Sequence, residues 1–121
     1  MIFDTDIFIW VQRGNGKVAT LVEKTPDRFL SIQTYMELLQ GATSKDQHKH
    51  TKSFIKDFNF MVLPLTENIG HRALVYVEEY GLRAGDAIIA ATAVENNLPL
   101  SSSNKKHFKA IRDLNLKVFK P

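Results

Sequence analysis

The chain has 121 residues, 44% of them hydrophobic and 24% charged, which is ordinary for a globular protein and long enough for one domain with a real core. No apolar run approaches the ~20 residues of a membrane span. The start, Met1-Ile2-Phe3-Asp4, lacks the basic region of a signal peptide, and the absence of cysteine excludes disulfides and thiolate metal sites, which together fit a cytoplasmic address.

The net charge of +3 is compatible with a polyanionic partner. In chain order, Met1 to Phe3 reads as a short strand ending at Asp4-Thr5-Asp6, followed by an apolar helix from Ile7 to Val11 and a loop at Arg13-Gly14-Asn15-Gly16. Val18, Leu21 and Val22 fall at helical spacing between Lys17 and Lys24, and Thr25-Pro26-Asp27 breaks that helix. Arg28 to Ile32 is a second strand, and Thr34 to Gln40 a helix stopped by Gly41.

Ser44 to Phe58 is a helix with a polar beginning, which should project from the body, and with Phe54, Ile55 and Phe58 turned inward. Phe60 to Leu63 is a third strand, and Thr66 caps a helix that Gly81 ends. Gly85 to Asn104 then reads as an alanine-rich helix opened by Asp86, a turn at Glu95-Asn96-Asn97, and a short buried strand from Leu98 to Ser102. A basic helix from Lys105 to Leu114 and a last strand from Leu116 to Phe119 complete the chain.

Strands alternate with helices throughout, so the expected fold is α/β, with a mostly parallel sheet of about five strands and helices on both faces. Two helices between the second and third strands point to a protruding arm.

In such a sheet, ligands bind beyond the carboxyl ends of the strands. Asp4, Glu37, Asp86 and Asn104 all fall just past strand ends or at helix starts. Each has a plain structural role open to it. Asp4, Asp86 and Asn104 can be helix caps, and Thr34-Tyr35-Met36-Glu37 has the spacing of a capping box. Taken together, three carboxylates on one face repel unless protonated or neutralised. A divalent cation is the economical neutraliser, and oxygen donors without sulfur favour Mg²⁺ or Mn²⁺ over zinc. Such a centre activates water against a phosphodiester. Arg13, Lys17, Arg83, Lys105, Lys106 and His107 lie near the same rim and are candidates to hold substrate phosphate. His48 and His50 do not share a helix face and make a poor metal pair.

Four stretches resemble, in order, the motifs of the PIN domain family and, within it, the VapC-type ribonuclease toxins. Met1-Ile2-Phe3-Asp4-Thr5-Asp6 is similar to the opening strand and first acid, although Asn is usual where Asp6 stands. Ser31 to Gly41 resembles the second motif, with Glu37 as its acid. Ala84 to Ala93 is close to the third, with Asp86. Leu100 to Phe108 resembles the fourth, with Ser102 and Asn104. The position of His107 is Asp in many members and His in others.

The resemblance implies a three-layer α/β/α PIN-like domain over residues 1–121. It implies a Mg²⁺- or Mn²⁺-dependent endoribonuclease toxin, active as a homodimer on RNA and silenced by an antitoxin that masks the acidic pocket. Asp4, Glu37 and Asp86 would hold the metal, Asn104 would complete the catalytic set, and Asp6 and Ser102 would support it.

Other readings remain open. Asp4-Thr5-Asp6 with a later Gly85-Asp86 is also similar to haloacid-dehalogenase-type phosphatases, in which the first Asp is a nucleophile. That reading wants a second carboxylate soon after Asp86, and none follows. A phospho-receiver domain would need an acid directly after the third strand, where Pro64-Leu65-Thr66 stands. A PIN-like binding module with a spent site is the third.

Overall fold

Ile2 and Phe3 are adjacent and fully buried, yet they belong to different hydrophobic cores. Successive side chains of a strand point to opposite faces, so this pair marks a sheet covered on both sides. The computed structural model describes all residues, 1–121. The chain runs β1 (Ile2–Phe3), α1 (Thr5–Gln12), α2 (Gly16–Lys24), β2 (Arg28–Ser31), α3 (Ile32–Gly41), α4 (Lys45–Asp57), β3 (Phe60–Leu63), α5 (Glu67–Tyr80), α6 (Ala84–Glu95), β4 (Leu100–Ser102), α7 (Lys105–Phe108) and β5 (Leu116–Val118).

The five strands form one sheet in the order β3-β2-β1-β4-β5, and every neighbouring pair is parallel. On one face, Phe3, Leu30 and Phe60 pack with Ile7, Phe8 and Val18 of α1 and α2 and with Leu38 and Ile55 of α3 and α4. On the other, Ile2 and Leu100 pack with Ile69, Ala73 and Tyr76 of α5, the alanines of α6, and Phe108. This is the expected three-layer α/β/α arrangement. α6 buries residues around most of its circumference, Ala87, Ala90, Ala91 and Ala93 among them. Their small side chains let it lie close against both the sheet and α5.

Several boundaries differ from those read in the sequence. α3 starts at Ile32 because the buried Ser31 is its cap, its hydroxyl oxygen accepting from the Thr34 N–H at 2.9 Å. Thr34 is therefore inside the helix, the capping box with Glu37 does not form, and Glu37 is free for other contacts. α7 ends at Phe108 instead of Leu114. β4 has three residues, about 10 Å, and the chain must return only that far to pair Leu116 with Leu100. A helix of ten residues would rise about 15 Å and overshoot. Turns replace it, and Phe108 and Ile111 still face inward as expected. The polar start of α4 does not project freely. A ring nitrogen of His48 lies 2.7 Å from the Leu39 carbonyl, which ties α4 to the end of α3, and Gln47 accepts from the Thr43 N–H of the joining loop at 2.6 Å. No helix is long and apolar enough to cross a membrane.

Candidate functional site

The strand order sets the site. From β1 the chain moves outward through β2 to β3, then crosses back to place β4 on the other side of β1. The gap beyond the carboxyl ends of β1 and β4 is the switch point, where helices leave in opposite directions and a crevice opens. Asp4 follows β1 directly, and Ser102 is the last residue of β4.

These two meet. The Ser102 hydroxyl donates to Asp4 Oδ2 at 2.7 Å, and the Thr5 N–H donates to Asp4 Oδ1 at 2.8 Å. Asp4 is thus the cap of α1 and a member of the rim at once. It is only 3% exposed. Burial, then the charge of neighbouring Asp6, push its carboxyl up to about 8, against the lowering effect of the Ser102 and Thr5 bonds. Asp86 contributes a further upward push. The Asn104 N–H donates to Ser102 Oγ at 2.9 Å, so one buried hydroxyl links the first acid to the asparagine of the fourth motif. Asn104 stands at the cap position of α7, yet its side chain makes no capping bond.

Glu37 reaches the same crevice from α3. Its Oε1 accepts from the Thr5 hydroxyl at 2.6 Å and its Oε2 from Gln33 Nε2 at 2.9 Å. Sequence reading passed over both donors. Gln33 was legible as the residue one turn before Glu37 on the same helix face. Thr5 needed the fold, because it lies 32 positions from Glu37. Gly85 brings the first turn of α6 against this clamp: a Cβ there would lie 2.6 Å from Glu37 Oε2.

Asp86 is the third residue of α6 and not its cap, a role that falls to Arg83. Its Oδ2 lies 3.1 Å from His107 Nδ1. Burial raises its carboxyl above the usual range, and Glu37 and Asp6 add to the rise, while His107 and Arg83 oppose it. Asp6 Oδ2 accepts from both the N–H and the hydroxyl of Ser103, and its Oδ1 is buried without a partner.

Asp4 and Asp86 each feel the charge of neighbouring acids, yet the acids do not form a finished coordination shell. As the side chains stand, no three His, Asp or Glu groups form a set that encloses an ion. Glu37 is drawn to Thr5 and Gln33, Asp86 to His107, and Asp6 to Ser103. The donor chemistry nonetheless fits a hard divalent cation. The groups are all oxygens, one carboxylate oxygen is buried and unpartnered, and the central acid is held at a high pKa that a cation would lower.

The basic candidates are exposed. Arg13 stacks over the Trp10 ring at 5.4 Å and, with Thr5 and Glu37, lines a groove of about 690 Å³ between α1, α3 and α4. Phe8, Leu38 and Phe54 make part of that groove apolar. Lys105 and Lys106 stand on α7 beside Asn104, Arg83 caps α6, and Lys17 lies in the first turn of α2. His107 is not free to contact phosphate through Nδ1, which faces Asp86.

The PIN domain family model matches residues 1–114. The chain is 30% identical over 126 aligned residues to Ribonuclease VapC of Rickettsia bellii, covering 94% of this chain and 92% of that protein. It is 28% identical over 102 residues to Ribonuclease VapC1 of Methanocaldococcus jannaschii, covering 81% and 74%. Among solved structures it is similar to a toxin–antitoxin complex from Klebsiella pneumoniae, with a TM-score of 0.82, 31% identity and 93% of each chain covered. VapBC-1 from nontypeable Haemophilus influenzae gives a TM-score of 0.80 at 26% identity, with 98% of each chain covered. With the four motifs placed on one rim of a parallel α/β sheet, these matches show that the chain belongs to the PIN domain family, in its VapC branch.

Proposed function

We propose that residues 1–121 act as a single PIN domain, a Mg²⁺- or Mn²⁺-dependent endoribonuclease toxin that hydrolyses RNA phosphodiester bonds in the cytoplasm. The observation that carries this reading is the rim at the β1–β4 switch point, where the Asp4–Ser102–Asn104 chain of hydrogen bonds meets Glu37 and Asp86. Asp4, Glu37 and Asp86 are the residues that would hold the ion, directly or through water. Asn104 would complete the set, and Asp6 and Ser102 would support it. A cation held there would supply an activated water and neutralise charge building on the phosphate.

The chain's own groups do the rest. Ser102 fixes the direction of the Asp4 carboxylate, and the Thr5–Gln33 clamp fixes that of Glu37. Arg13, Lys17, Arg83, Lys105 and Lys106 offer exposed cations to an RNA backbone. The groove beside Glu37, part apolar and part polar, is the surface we assign to an antitoxin segment. Exposed Leu74, Val75 and Val77 on α5, with Met36 on α3, offer apolar area for a homodimer.

The phosphatase alternative wants a second carboxylate soon after Asp86, and α6 runs on there as Ala87-Ile88-Ile89-Ala90-Ala91 without one. The test is cleavage mapping of total RNA after brief induction, beside an Asp86→Asn control. Discrete new RNA ends in the wild type alone are expected. Identical RNA profiles in both would overturn the reading.

Gly85→Ala offers a finer check on the geometry. The added methyl must displace the end of the Glu37 side chain, which is flexible, so the unfolding temperature should barely move. Cleavage should fall ~10- to 100-fold, the scale on which misplacement of an active-site group is felt. Unchanged cleavage would show that Glu37 need not stay where Thr5 and Gln33 hold it.

A further inference from the structure

Among the acids of the rim, Asp86 is the one whose orientation rests on a single contact. Asp4 is fixed by Thr5 and Ser102, Glu37 by Thr5 and Gln33, and Asp6 by Ser103. Asp86 has His107, with Nδ1 3.1 Å from Oδ2. The local backbone competes for it. Asp86 is the third residue of α6, the position from which a side-chain oxygen reaches back to the amide of the cap residue. The cap, Arg83, makes no side-chain bond to the first turn.

His107 is well placed to prevent this. Phe108, fully buried, anchors α7 beside it. The His107 N–H donates to the Asn104 carbonyl at 3.0 Å, so the ring is delivered by a turn held at both ends. The ring itself is about half exposed, so it carries little of the packing.

Resting on the divalent-metal reading of the rim, we infer that His107 is a positioning residue whose Nδ1–H holds the Asp86 carboxylate towards the rim and away from the amides of α6. A neutral imidazole that donates from Nδ1 leaves Nε2 bare, so the contact also sets the tautomer. Asparagine is the discriminating replacement, because its Nδ2 can take the place of Nδ1 at the same distance from the backbone.

The test uses the full chain as wild type, His107→Ala and His107→Asn. Mn²⁺ binding is measured by calorimetry, RNA cleavage by kcat and KM, and the imidazole nitrogens by NMR of the metal-free wild type at about pH 8, where an ordinary imidazole is neutral. His107→Ala should weaken Mn²⁺ binding ~10- to 100-fold, the usual cost of losing an outer-shell partner, and His107→Asn should stay within about 3-fold of wild type. At fixed, subsaturating Mn²⁺, kcat should fall in the alanine variant with KM for RNA unchanged, and the NMR spectrum should place the proton on Nδ1.

Wild-type Mn²⁺ affinity in His107→Ala, an asparagine variant as weak as alanine, or a proton on Nε2 would overturn the inference while leaving the metal reading intact. A raised KM with unchanged Mn²⁺ affinity would also overturn it, placing the ring on substrate phosphate. Failure of the wild type to bind Mn²⁺ would sink both.

Discussion

Asp4→Asn is expected to stop RNA cleavage and, in the metal-free protein, to raise stability. The two effects share one cause. Asp4 is buried beside Asp6, and its carboxyl is pushed up to about 8 in the folded protein. An unfolded aspartate titrates near 3.8. The folded state therefore binds more protons between these values, and stability must fall as pH rises through that window. It is full below about pH 4 and largely lost above about pH 8, a change on the order of a few kcal/mol.

Asparagine carries no charge to bury. Its Oδ1 can still accept from the Thr5 N–H, and its Nδ2 can donate to Ser102 Oγ. Thermal unfolding in EDTA at pH 5 and pH 8 checks this directly. The wild type should lose stability between the two, and the variant should lose much less of it. Added Mn²⁺ should stabilise the wild type by about 2.7 kcal/mol at one hundred times its dissociation constant, and the variant far less. An Asp4→Asn protein that melts below wild type at pH 8 in EDTA would show that the buried charge is not the cost argued here.

Asp86→Asn should abolish activity with almost no change in stability. Asp86 is only partly buried, with a side chain 23% exposed, so neutralising it relieves little. It also sits in the first turn of α6, where a carboxylate is favoured by the exposed amides by ~0.3–1 kcal/mol. These small terms oppose each other. RNA cleavage and growth inhibition on induction should both drop at least ~100-fold, as when one electrostatic contact to a reacting centre is lost. The contrast between the two asparagine variants is informative: equal losses of activity, with stability raised at position 4 and flat at position 86. If Asp86→Asn cleaves at the wild-type rate, or if wild-type cleavage persists in EDTA, the acidic rim is not the reacting centre.

Much of the site was legible along the chain. Asp4 and Asn104 could be placed at strand ends from hydrophobic patterning alone, because period-two and period-3.6 signals are local and end where polar residues begin. The same strand–helix reading put Glu37 and Asp86 at helix starts, and the motif order agreed with it. The clamp residues were harder. Thr5 binds Glu37 across 32 positions, and Ser102 binds Asp4 across 98. Such contacts follow from which strands are neighbours, and no periodicity encodes that.

The capping box illustrates the limit from the other side. Thr34 and Glu37 have the right spacing for it. Buried Ser31 takes the cap position instead, because α3 begins directly at the end of β2 with no loop between them.

The sequence by itself determined the alternation of strands and helices, the covering of both sheet faces that this alternation implies, and the acids available for chemistry. These depend on side-chain identity and on repeats no longer than a helix turn. Only the tertiary structure decided that β4 lies against β1, that Ser102 joins Asp4 to Asn104, that Thr5 and Gln33 hold Glu37, and that Asp86 lies beside His107. The reason is geometric. A hydrogen bond is made or lost within a few tenths of an ångström, and that precision comes from packing between distant segments, which no local pattern of residues can specify.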